Sequence, residues 1–308
     1  MTGRFAPSPS GRMHLGNIYT ALVSWLSVRR SGGKWILRIE DLDPQRSRME
    51  YARQIEDDLH WLGLEWDEGG IGGRGPSGPY CQSLRHHLYE EALKRLETKG
   101  LTYPCHCRRA DILASRAPHR TDGSVVYPGH CRPASCPPFP ADMDFSGCST
   151  RIYVPDREIS FNDRVYGPQT FNPARECGDF ILRRADGAWA YQLAVVVDDA
   201  LMGVTEVVRG VDLLDSSARQ IYLYDLLGYK VPEFAHLPLI CNEEGQRLSK
   251  RDHSMSMEVI RGTMSRPELL RRLAGMANMK IPAGVPVGKP ADLIPYFSFG
   301  NFSSAPQA

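Results

Sequence analysis

The first 39 residues constrain the fold more than any other part of the chain. Apolar residues recur at helical spacing from Leu15 to Leu26, Gly32 and Gly33 interrupt that pattern, and Trp35 to Ile39 reads as a buried strand. A short strand at Arg4 precedes them. Because strand, helix and strand in this order imply a crossover connection and a parallel sheet, we predict an α/β domain of the Rossmann-like, nucleotide-binding kind.

The remaining pattern predicts further elements and four regions. Ser47 to Glu50 reads as a capping box before a second helix that ends at Gly63, and Leu269 to Leu273 is helical. The segments Phe180 to Leu182 and Leu193 to Val197 read as strands of the resumed main sheet. We predict a first catalytic half over 1–100, an inserted cysteine-rich module over 101–152, a second half over 153–255 and a short helical extension over 256–308.

Composition limits the classes of function. Lys and Arg number 37 against 36 Asp and Glu, so the net charge of +1 excludes a protein-wide basic field that attracts nucleic acid. The first nine residues lack a secretory pattern, and no apolar run reaches the roughly 20 residues that span a bilayer. We expect a cytoplasmic monomer without membrane contact.

Two segments are suited to binding phosphate. His14, Gly16 and Asn17 follow a turn rich in Pro and Gly at a helix start, where free N–H groups and the helix dipole favour an anion. Near the carboxyl end, Lys250 lies between two arginines in the run Gln246 to Arg251, a loop suited to stabilising charge on departing pyrophosphate. We predict that both segments contact ATP and that His14 and Lys250 act electrostatically.

Five of the eight cysteines lie between Cys105 and Cys148, in a stretch poor in apolar periodicity. Zn²⁺ can replace a missing core in such a segment. From the residues alone, three thiolates with His106, His130 or Cys136 as fourth ligand are all open, and unliganded thiols in an irregular loop are the alternative to a metal site.

The amino-terminal motif resembles the HIGH signature of class I aminoacyl-tRNA synthetases, in the version of the glutamyl branch. Further matches follow in the order that this branch uses: Arg38-Ile39-Glu40-Asp41-Leu42-Asp43, Tyr191-Gln192-Leu193-Ala194, Val197-Asp198-Asp199 and Arg209-Gly210-Val211-Asp212. The loop around Lys250 resembles the KMSKS loop. Together these motifs imply a class I catalytic domain that activates L-glutamate with ATP, with Mg²⁺ shielding the phosphate oxygens.

A glutamate pocket needs at least two cations and an acid, because the substrate carries two carboxylates and one ammonium. The resemblance implies that Arg4 and Arg209 hold the carboxylates, that Glu40 receives the α-ammonium, and that Ser8 and Tyr191 complete the pocket. The connecting residues Phe5, Ala6 and Pro7 are predicted to line it.

The resemblance also implies a ligand set for one structural zinc ion. Short enzymes of the glutamyl branch point to Cys105, Cys107, Tyr127 and Cys131, with tyrosine as an uncommon oxygen ligand. One departure from the family pattern is Val195, where glutamyl enzymes usually carry Asn. We assign no role to that position.

The 57 residues from Asp252 to Ala308 are too few for an anticodon-reading domain of roughly 100 residues or more, so we expect none. This architecture resembles short paralogues of the branch that transfer glutamate to the modified base queuosine in the anticodon of tRNA(Asp). Two alternatives remain. The chain could charge the 3′ end of tRNA(Glu) as a truncated or discriminating synthetase, or it could be an inactive zinc-containing module that binds tRNA.

Overall fold

The computed structural model describes residues 1–108, 126–240 and 256–302. Within them, seven strands form one sheet in the order β3-β2-β1-β9-β10-β6-β7, and every pair is parallel except β6 with β7. The strands of this sheet are β1 (Thr2–Phe5), β2 (Lys34–Leu37), β3 (Glu68–Gly69), β6 (Ile159–Asp163), β7 (Gly167–Phe171), β9 (Glu206–Gly210) and β10 (Glu233–Leu237). The predicted α/β class is confirmed.

The first crossover is formed as predicted. Helix α1 (Leu15–Arg30) joins β1 to β2, and the two strands pair in parallel with Gly3 opposite Trp35. A Cβ atom on Gly3 would lie 2.5 Å from the side chain of Val28, so glycine here lets α1 pack close against the sheet. This close packing fixes the position of α1 relative to β1 and β2, and with it the motif around His14 at the start of the helix.

Alternate residues of β2 belong to two different hydrophobic clusters. Trp35 and Leu37 pack in one cluster with α1 and the carboxyl-terminal helices, whereas Ile36 packs in the other. Since successive side chains of a strand point to opposite faces, the sheet is covered on both faces. This arrangement is what a parallel sheet requires.

Helix α2 (Met49–Leu62) ends at Gly63 as predicted, with a left-handed φ of 86°. The predicted capping box is wrong, because Arg48 is the N-cap residue and no side chain caps the helix. Instead, the Arg48 N–H donates to the carbonyl of Pro9 at 2.9 Å. A long-range backbone contact therefore sets the start of this helix.

A second sheet of three antiparallel strands contains β4 (Thr102–Cys105), β5 (Ser149–Ile152) and β8 (Phe180–Arg183). The prediction that Phe180 to Leu182 resumes the main sheet is therefore wrong, although the segment is a strand. The prediction of a strand at Leu193 to Val197 is also wrong, since these residues lie within helix α5. The helices of this middle region are α3 (His86–Thr98), α4 (Pro173–Glu176), α5 (Tyr191–Leu201) and α6 (Ser216–Leu227).

The carboxyl-terminal part is helical, as predicted. It contains α7 (Met257–Thr263), α8 (Arg266–Met276) and two short 3₁₀ helices at Pro290–Tyr296 and Phe299–Phe302. Its apolar residues join the cluster of α1. In the part of the chain that the structure describes, no helix combines the length and apolar character of a membrane span. The boundaries of the four predicted regions remain predictions.

Candidate active site

A cavity opens at the carboxyl ends of the parallel strands β1, β9 and β10, the edge where open α/β sheets bind ligands. Its volume is about 510 Å³. It is lined by Arg4, Phe5, Ala6, Pro7, Ser8, Gly11, Arg12, Met13, His14, Gly16, Asn17, Tyr19, Thr20, Glu40, Tyr191, Val208, Arg209, Gly210, Asp212, Leu213, Pro238, Leu239 and Ile240. Every glutamate-binding and ATP-binding residue predicted from the sequence is among them, except Lys250, which lies outside the described residues.

The start of α1 forms one wall of this cavity. His14 is the N-cap residue, and its Nδ1 accepts from the Gly16 N–H at 3.1 Å while the Asn17 side chain accepts from the His14 N–H. A neutral imidazole that accepts at Nδ1 carries its proton on Nε2. The wall therefore combines a helix amino terminus with an imidazole whose proton position is set, a suitable arrangement for a phosphate group.

A second wall contains Arg4 within a network of charges. Arg4 Nε donates to the Asp199 carboxylate at 3.3 Å, and Arg38 Nη1 donates to the same carboxylate at 2.6 Å. Arg38 Nη2 donates to Glu40 Oε1 at 3.1 Å, and Asp198 lies 3.8 Å from Arg38 Nε. Both arginines and both aspartates are buried. The buried guanidinium groups of Arg4 and Arg38 therefore each have a carboxylate partner.

Glu40 is the carboxylate of this network that lines the cavity, beside Arg4. Burial raises the pKa of Glu40, while the positive charges of Arg38 and Arg4 oppose that rise. Burial alone would also raise the pKa of Asp199, but Arg38 and Arg4 hold the pKa of that carboxyl below its usual value. Asp199 is thus the anion that the two guanidinium groups stabilise, and Glu40 faces the ligand space.

Arg209 lies on a third wall, and its surroundings differ. Its Nε donates to His236 Nε2 at 3.0 Å, its Nη1 to Gln220 Oε1 at 2.9 Å and its Nη2 to Ser217 Oγ at 2.8 Å. Burial lowers the pKa of Arg209, although arginine retains its charge at neutral pH. Among the described residues, all hydrogen-bond partners of this buried guanidinium are neutral groups, and two of its five N–H donors remain for a ligand.

His236 is held from its other side by Asp163. Nδ1 of the imidazole lies 2.6 Å from Asp163 Oδ2, and both side chains are fully buried. Burial lowers the pKa of His236, and the nearby charge of Arg209 lowers it further. Sequence reasoning missed both residues, although a histidine within the apolar strand Phe234-Ala235-His236-Leu237 was a detectable signal.

Arg38 and Asp199 belong to motifs that resemble the glutamyl branch, but the sequence assigns them no role. Their importance appears only in the structure, because the charges that they join come from positions far apart in the chain. Val195, the departure from the family pattern, is 1% exposed and packs in a hydrophobic cluster. It does not line the cavity.

The cysteine module forms a separate site. The Sγ atoms of Cys105, Cys107 and Cys131 all lie within 4.8 Å of one another. The Tyr127 hydroxyl lies 3.4 Å from Cys105 Sγ and accepts from the Cys131 N–H at 2.9 Å. The structure thus places the four predicted ligands side by side.

The alternative fourth ligands do not join this cluster. His106, His130 and Cys136 are absent from the group of clustered donor atoms, and Cys136 is exposed. Although burial opposes ionisation of Cys105, hydrogen bonds from Tyr127 and Arg151 hold the pKa of its thiol below the usual value. The donor set of three thiols and one phenol is compatible with a thiophilic cation such as Zn²⁺.

Comparisons with known proteins agree with this geometry. Residues 1–287 match the family model described as tRNA synthetases class I (E and Q), catalytic domain. The chain is 49% identical to the glutamyl-Q tRNA(Asp) synthetase of Symbiobacterium thermophilum, over 99% of this chain and 95% of that protein. It is 44% identical to the enzyme of the same name from Nitratidesulfovibrio vulgaris, over 99% of this chain and 94% of that protein.

A solved structure has a similar fold. The glutamate tRNA ligase of Elizabethkingia meningosepticum, crystallised in complex with its amino acid, superposes with a TM-score of 0.80 at 29% identity. The match covers 98% of this chain but only 65% of the ligase, so the chain spans slightly less than two thirds of that protein's length.

Proposed function

This chain belongs to the class I tRNA synthetase family for glutamate and glutamine, and we propose that it activates L-glutamate with ATP and transfers the glutamyl group to queuosine in the anticodon of tRNA(Asp). Membership of the family makes it a ligase. The amino acid and the acceptor in this proposal are those named for relatives that match nearly its full length. We further propose that it works as a monomer in the cytoplasm.

One observation carries the choice of an acidic amino acid. The described hydrogen-bond partners of the buried Arg209 are all neutral, Asp199 acts on its charge without a hydrogen bond to it, and Arg209 shares the cavity with Arg4 and Glu40. A carboxylate is the natural partner for the remaining donors of a guanidinium. A neutral amide in the same place would leave the buried charge poorly paired, which favours glutamate over glutamine.

Activation uses the glutamate-binding walls of the cavity together with the phosphate-binding wall at the start of α1. Arg4 and Arg209 orient the carboxylates and Glu40 receives the ammonium, while His14, Gly16 and Asn17 hold phosphate oxygens of ATP, which enters as its magnesium complex. The α-carboxylate oxygen attacks the α-phosphorus. The bond from the α-phosphorus to the oxygen that bridges to the β-phosphate breaks, and pyrophosphate leaves with the electron pair of that bond. Lys250 stabilises that developing charge, so catalysis rests on positioning and electrostatics.

Transfer requires a hydroxyl nucleophile. The cyclopentene ring of queuosine carries a cis-diol that resembles the terminal ribose diol of tRNA. One of its hydroxyl oxygens attacks the carbonyl carbon of glutamyl-adenylate and loses its proton to water, the bond between the acyl carbon and the phosphate oxygen breaks, and AMP departs with an ester left on the base. A site that makes aminoacyl esters can therefore serve this acceptor.

Zinc has a structural role in this proposal. Cys105, Cys107, Cys131 and Tyr127 would hold one Zn²⁺, which would link the ends of the module in place of a large core. Within the described part of the module, its own hydrophobic cluster contains four buried residues, Tyr103, Cys105, Tyr127 and Phe139. Metal analysis of the purified protein tests this. One zinc per chain supports it, whereas no zinc and no loss of order with a chelator contradicts it.

The activation step is tested by glutamate-dependent exchange of pyrophosphate into ATP. We expect exchange with glutamate and little with glutamine. Lys250→Ala should reduce the exchange rate strongly, and Lys230→Ala, which changes an exposed lysine of the same type, is the matched control. Exchange that Lys250→Ala leaves unchanged would refute the role of Lys250, and no exchange in the wild type would favour the inactive tRNA-binding module.

The acceptor is tested with labelled glutamate, ATP and purified tRNA(Asp), with and without queuosine. We expect label only on the modified tRNA, and nuclease digestion should recover it on the anticodon nucleotide. Label at the 3′ end of tRNA(Glu) would instead identify a truncated glutamyl-tRNA synthetase.

A further inference from the structure

The pair formed by Asp163 and His236 lies directly behind Arg209. Asp163 ends β6, His236 lies in the neighbouring strand β10, and Arg209 lies in β9 on the far side of β10. The three side chains form a row across the sheet, with 2.6 Å between Asp163 and His236 and 3.0 Å between His236 and Arg209. Only Arg209 of the three lines the cavity.

The neighbours determine where the imidazole carries its proton. Arg209 Nε can only donate, so His236 Nε2 must accept. The Asp163 carboxylate can only accept, so Nδ1 must carry the proton. The tautomer protonated at Nε2 would set one N–H against another and leave Asp163 without its donor.

The other contacts of Asp163 fix its orientation. Oδ1 accepts from the backbone N–H groups of Val165 at 2.9 Å and Tyr166 at 3.0 Å. The His236 backbone N–H donates to both oxygens, at 3.3 Å to Oδ1 and 3.2 Å to Oδ2, and Oδ2 is the oxygen that accepts from the imidazole. The carboxylate cannot exchange its two oxygens without losing the bonds to Val165 and Tyr166, so Asp163 is held in place to accept from the backbone and the ring of His236.

Two further polar groups lie near the His236 ring, from Ser217 and Leu213. Ser217 Oγ lies 3.3 Å from Nε2 and also accepts from Arg209. Burial and the charge of Arg209 lower the pKa of His236, the hydrogen bond and charge of Asp163 and the Leu213 carbonyl raise it, and the net shift is downward. Asp163 and Arg209 are the charged groups that face the imidazole from the strands on either side.

We propose that Asp163 and His236 are positioning residues that hold Arg209 through a neutral imidazole protonated at Nδ1, so that the guanidinium is oriented without being neutralised. A carboxylate in the place of His236 would orient Arg209 equally well but would pair with its charge. The neutral ring leaves that charge for the substrate carboxylate. This role rests on the proposed function, in which Arg209 binds glutamate.

Asp163→Asn tests the proposal because it reverses the tautomer and keeps the shape. The backbone N–H groups of Val165, Tyr166 and His236 retain the amide oxygen at Oδ1, so the amide NH₂ faces His236 Nδ1 and makes it an acceptor. The proton then lies on Nε2, against Arg209. We expect the KM for glutamate to rise about 10- to 100-fold, as for loss of one charge-assisted hydrogen bond, with the KM for ATP nearly unchanged.

Two further variants separate positioning from folding. His236→Gln offers an amide oxygen near the position of Nε2 and should retain part of the affinity for glutamate, whereas His236→Leu offers no acceptor and should lose more. Asp179→Asn is the matched control, since Asp179 is also buried and accepts from the Val154 N–H and from Tyr103 in the small sheet. It should lower stability without changing the KM for glutamate.

Nitrogen-15 NMR of labelled histidine reads the tautomer without any need for activity. We expect the wild-type His236 ring to be neutral with its proton on Nδ1 near pH 7, and Asp163→Asn to move that proton to Nε2. A wild-type ring that is protonated at Nε2 or at both nitrogens would overturn the proposal, as would equal glutamate KM values for His236→Gln and His236→Leu. Absence of glutamate-dependent exchange in the wild type would refute the proposed function instead, and the NMR result would stand separately.

Discussion

Two buried arginines of the cavity, Arg4 and Arg209, have opposite surroundings. Arg4 shares the Asp199 carboxylate with Arg38, in a network that also contains Glu40. Arg209 has a serine, a glutamine and a neutral histidine. Both guanidinium groups are buried to a similar degree, with 4% of Arg4 and 5% of Arg209 exposed, so the difference lies in their partners and not in their access to water.

This difference separates the tasks of folding and binding. A buried charge that has a partner is stable before any ligand arrives, whereas a buried charge with neutral partners has an unfavourable environment until an anion enters. The network of Arg4, Arg38 and Asp199 therefore preserves the shape of the cavity. The Arg209 side supplies the electrostatic attraction that an acidic substrate completes.

The largest expected effect is on stability, from Asp199→Asn. The change removes the anion that two buried guanidinium groups share, and breaking a buried pair in this way costs about 3–5 kcal/mol. Denaturant unfolding should show this loss. Asp186→Asn is the control, because its pair with Arg184 is more than half exposed and should contribute about 0–1 kcal/mol. Equal losses in both variants would contradict the assignment of Asp199.

Arg209→Met should affect function more than folding. We expect kcat/KM for glutamate in pyrophosphate exchange to fall by the equivalent of about 2–5 kcal/mol, or roughly 30- to 4,000-fold. The free energy of unfolding should fall less than in Asp199→Asn, because the change also removes a buried charge whose hydrogen-bond partners are all neutral, which offsets part of the cost of the acceptors left without a donor. The control is Arg157→Met, which changes a half-exposed arginine at 3.7 Å from Asp225. Wild-type kcat/KM in Arg209→Met would show that the charge of Arg209 does not bind the substrate.

The gain in the free energy of unfolding when glutamate binds should also depend on Arg209. Glutamate at 100 times its Kd should raise the free energy of unfolding of the wild type by about 2.7 kcal/mol, because it supplies the missing anion. Glutamine at the same concentration should do much less, and Arg209→Met should respond equally weakly to both amino acids. Thermal unfolding with each amino acid measures this, and equal stabilisation of the wild type by glutamine would argue against a carboxylate partner.

The smallest expected effect is on pH dependence. The pKa of His236 is lowered from its ordinary value of 6.5, chiefly by burial. As pH falls below about 6.5, the unfolded chain takes up a proton that the folded chain resists, so protonation favours unfolding. We expect the free energy of unfolding to decrease with falling pH by at most about 1.4 kcal/mol per pH unit from this group.

His236→Gln removes that contribution. His236 also helps to lower the pKa of Asp163, so the two proteins are compared at pH values well above 3.8, the ordinary pKa of an aspartate, where Asp163 stays ionised in both. The slope below pH 6.5 should be smaller in the variant. Glu40 on the Arg4 side acts in the opposite sense. Its raised pKa means that its contribution to stability is lost as pH rises above its ordinary value of 4.5. Identical slopes in the wild type and His236→Gln would show that the imidazole does not resist protonation.

Local pattern predicted the elements whose signal lies within one segment. The spacing from Leu15 to Leu26 gave α1, and Gly63 marked the end of α2. The error at Leu193 to Val197 has a simple cause, since a continuous apolar run is compatible with either a buried strand or a buried helix. Phe180 to Leu182 was a strand in the other sheet, because pairing depends on which strand lies beside it and not on its own residues.

Within the site, sequence alone determined which residue types surround the cavity. The amino-terminal motif, Glu40, Tyr191 and Arg209 all line it, and the four predicted zinc ligands are clustered. The pocket residues follow from the resemblance of these motifs to the glutamyl branch, and so does Tyr127 as the fourth zinc ligand, which residue types alone leave open. Only the tertiary structure decided the partner of each charge. Arg4 meets Asp199 across 195 positions, and His236 meets Asp163 across 73. Such pairs form where distant strands and helices come together, and no local spacing records that approach.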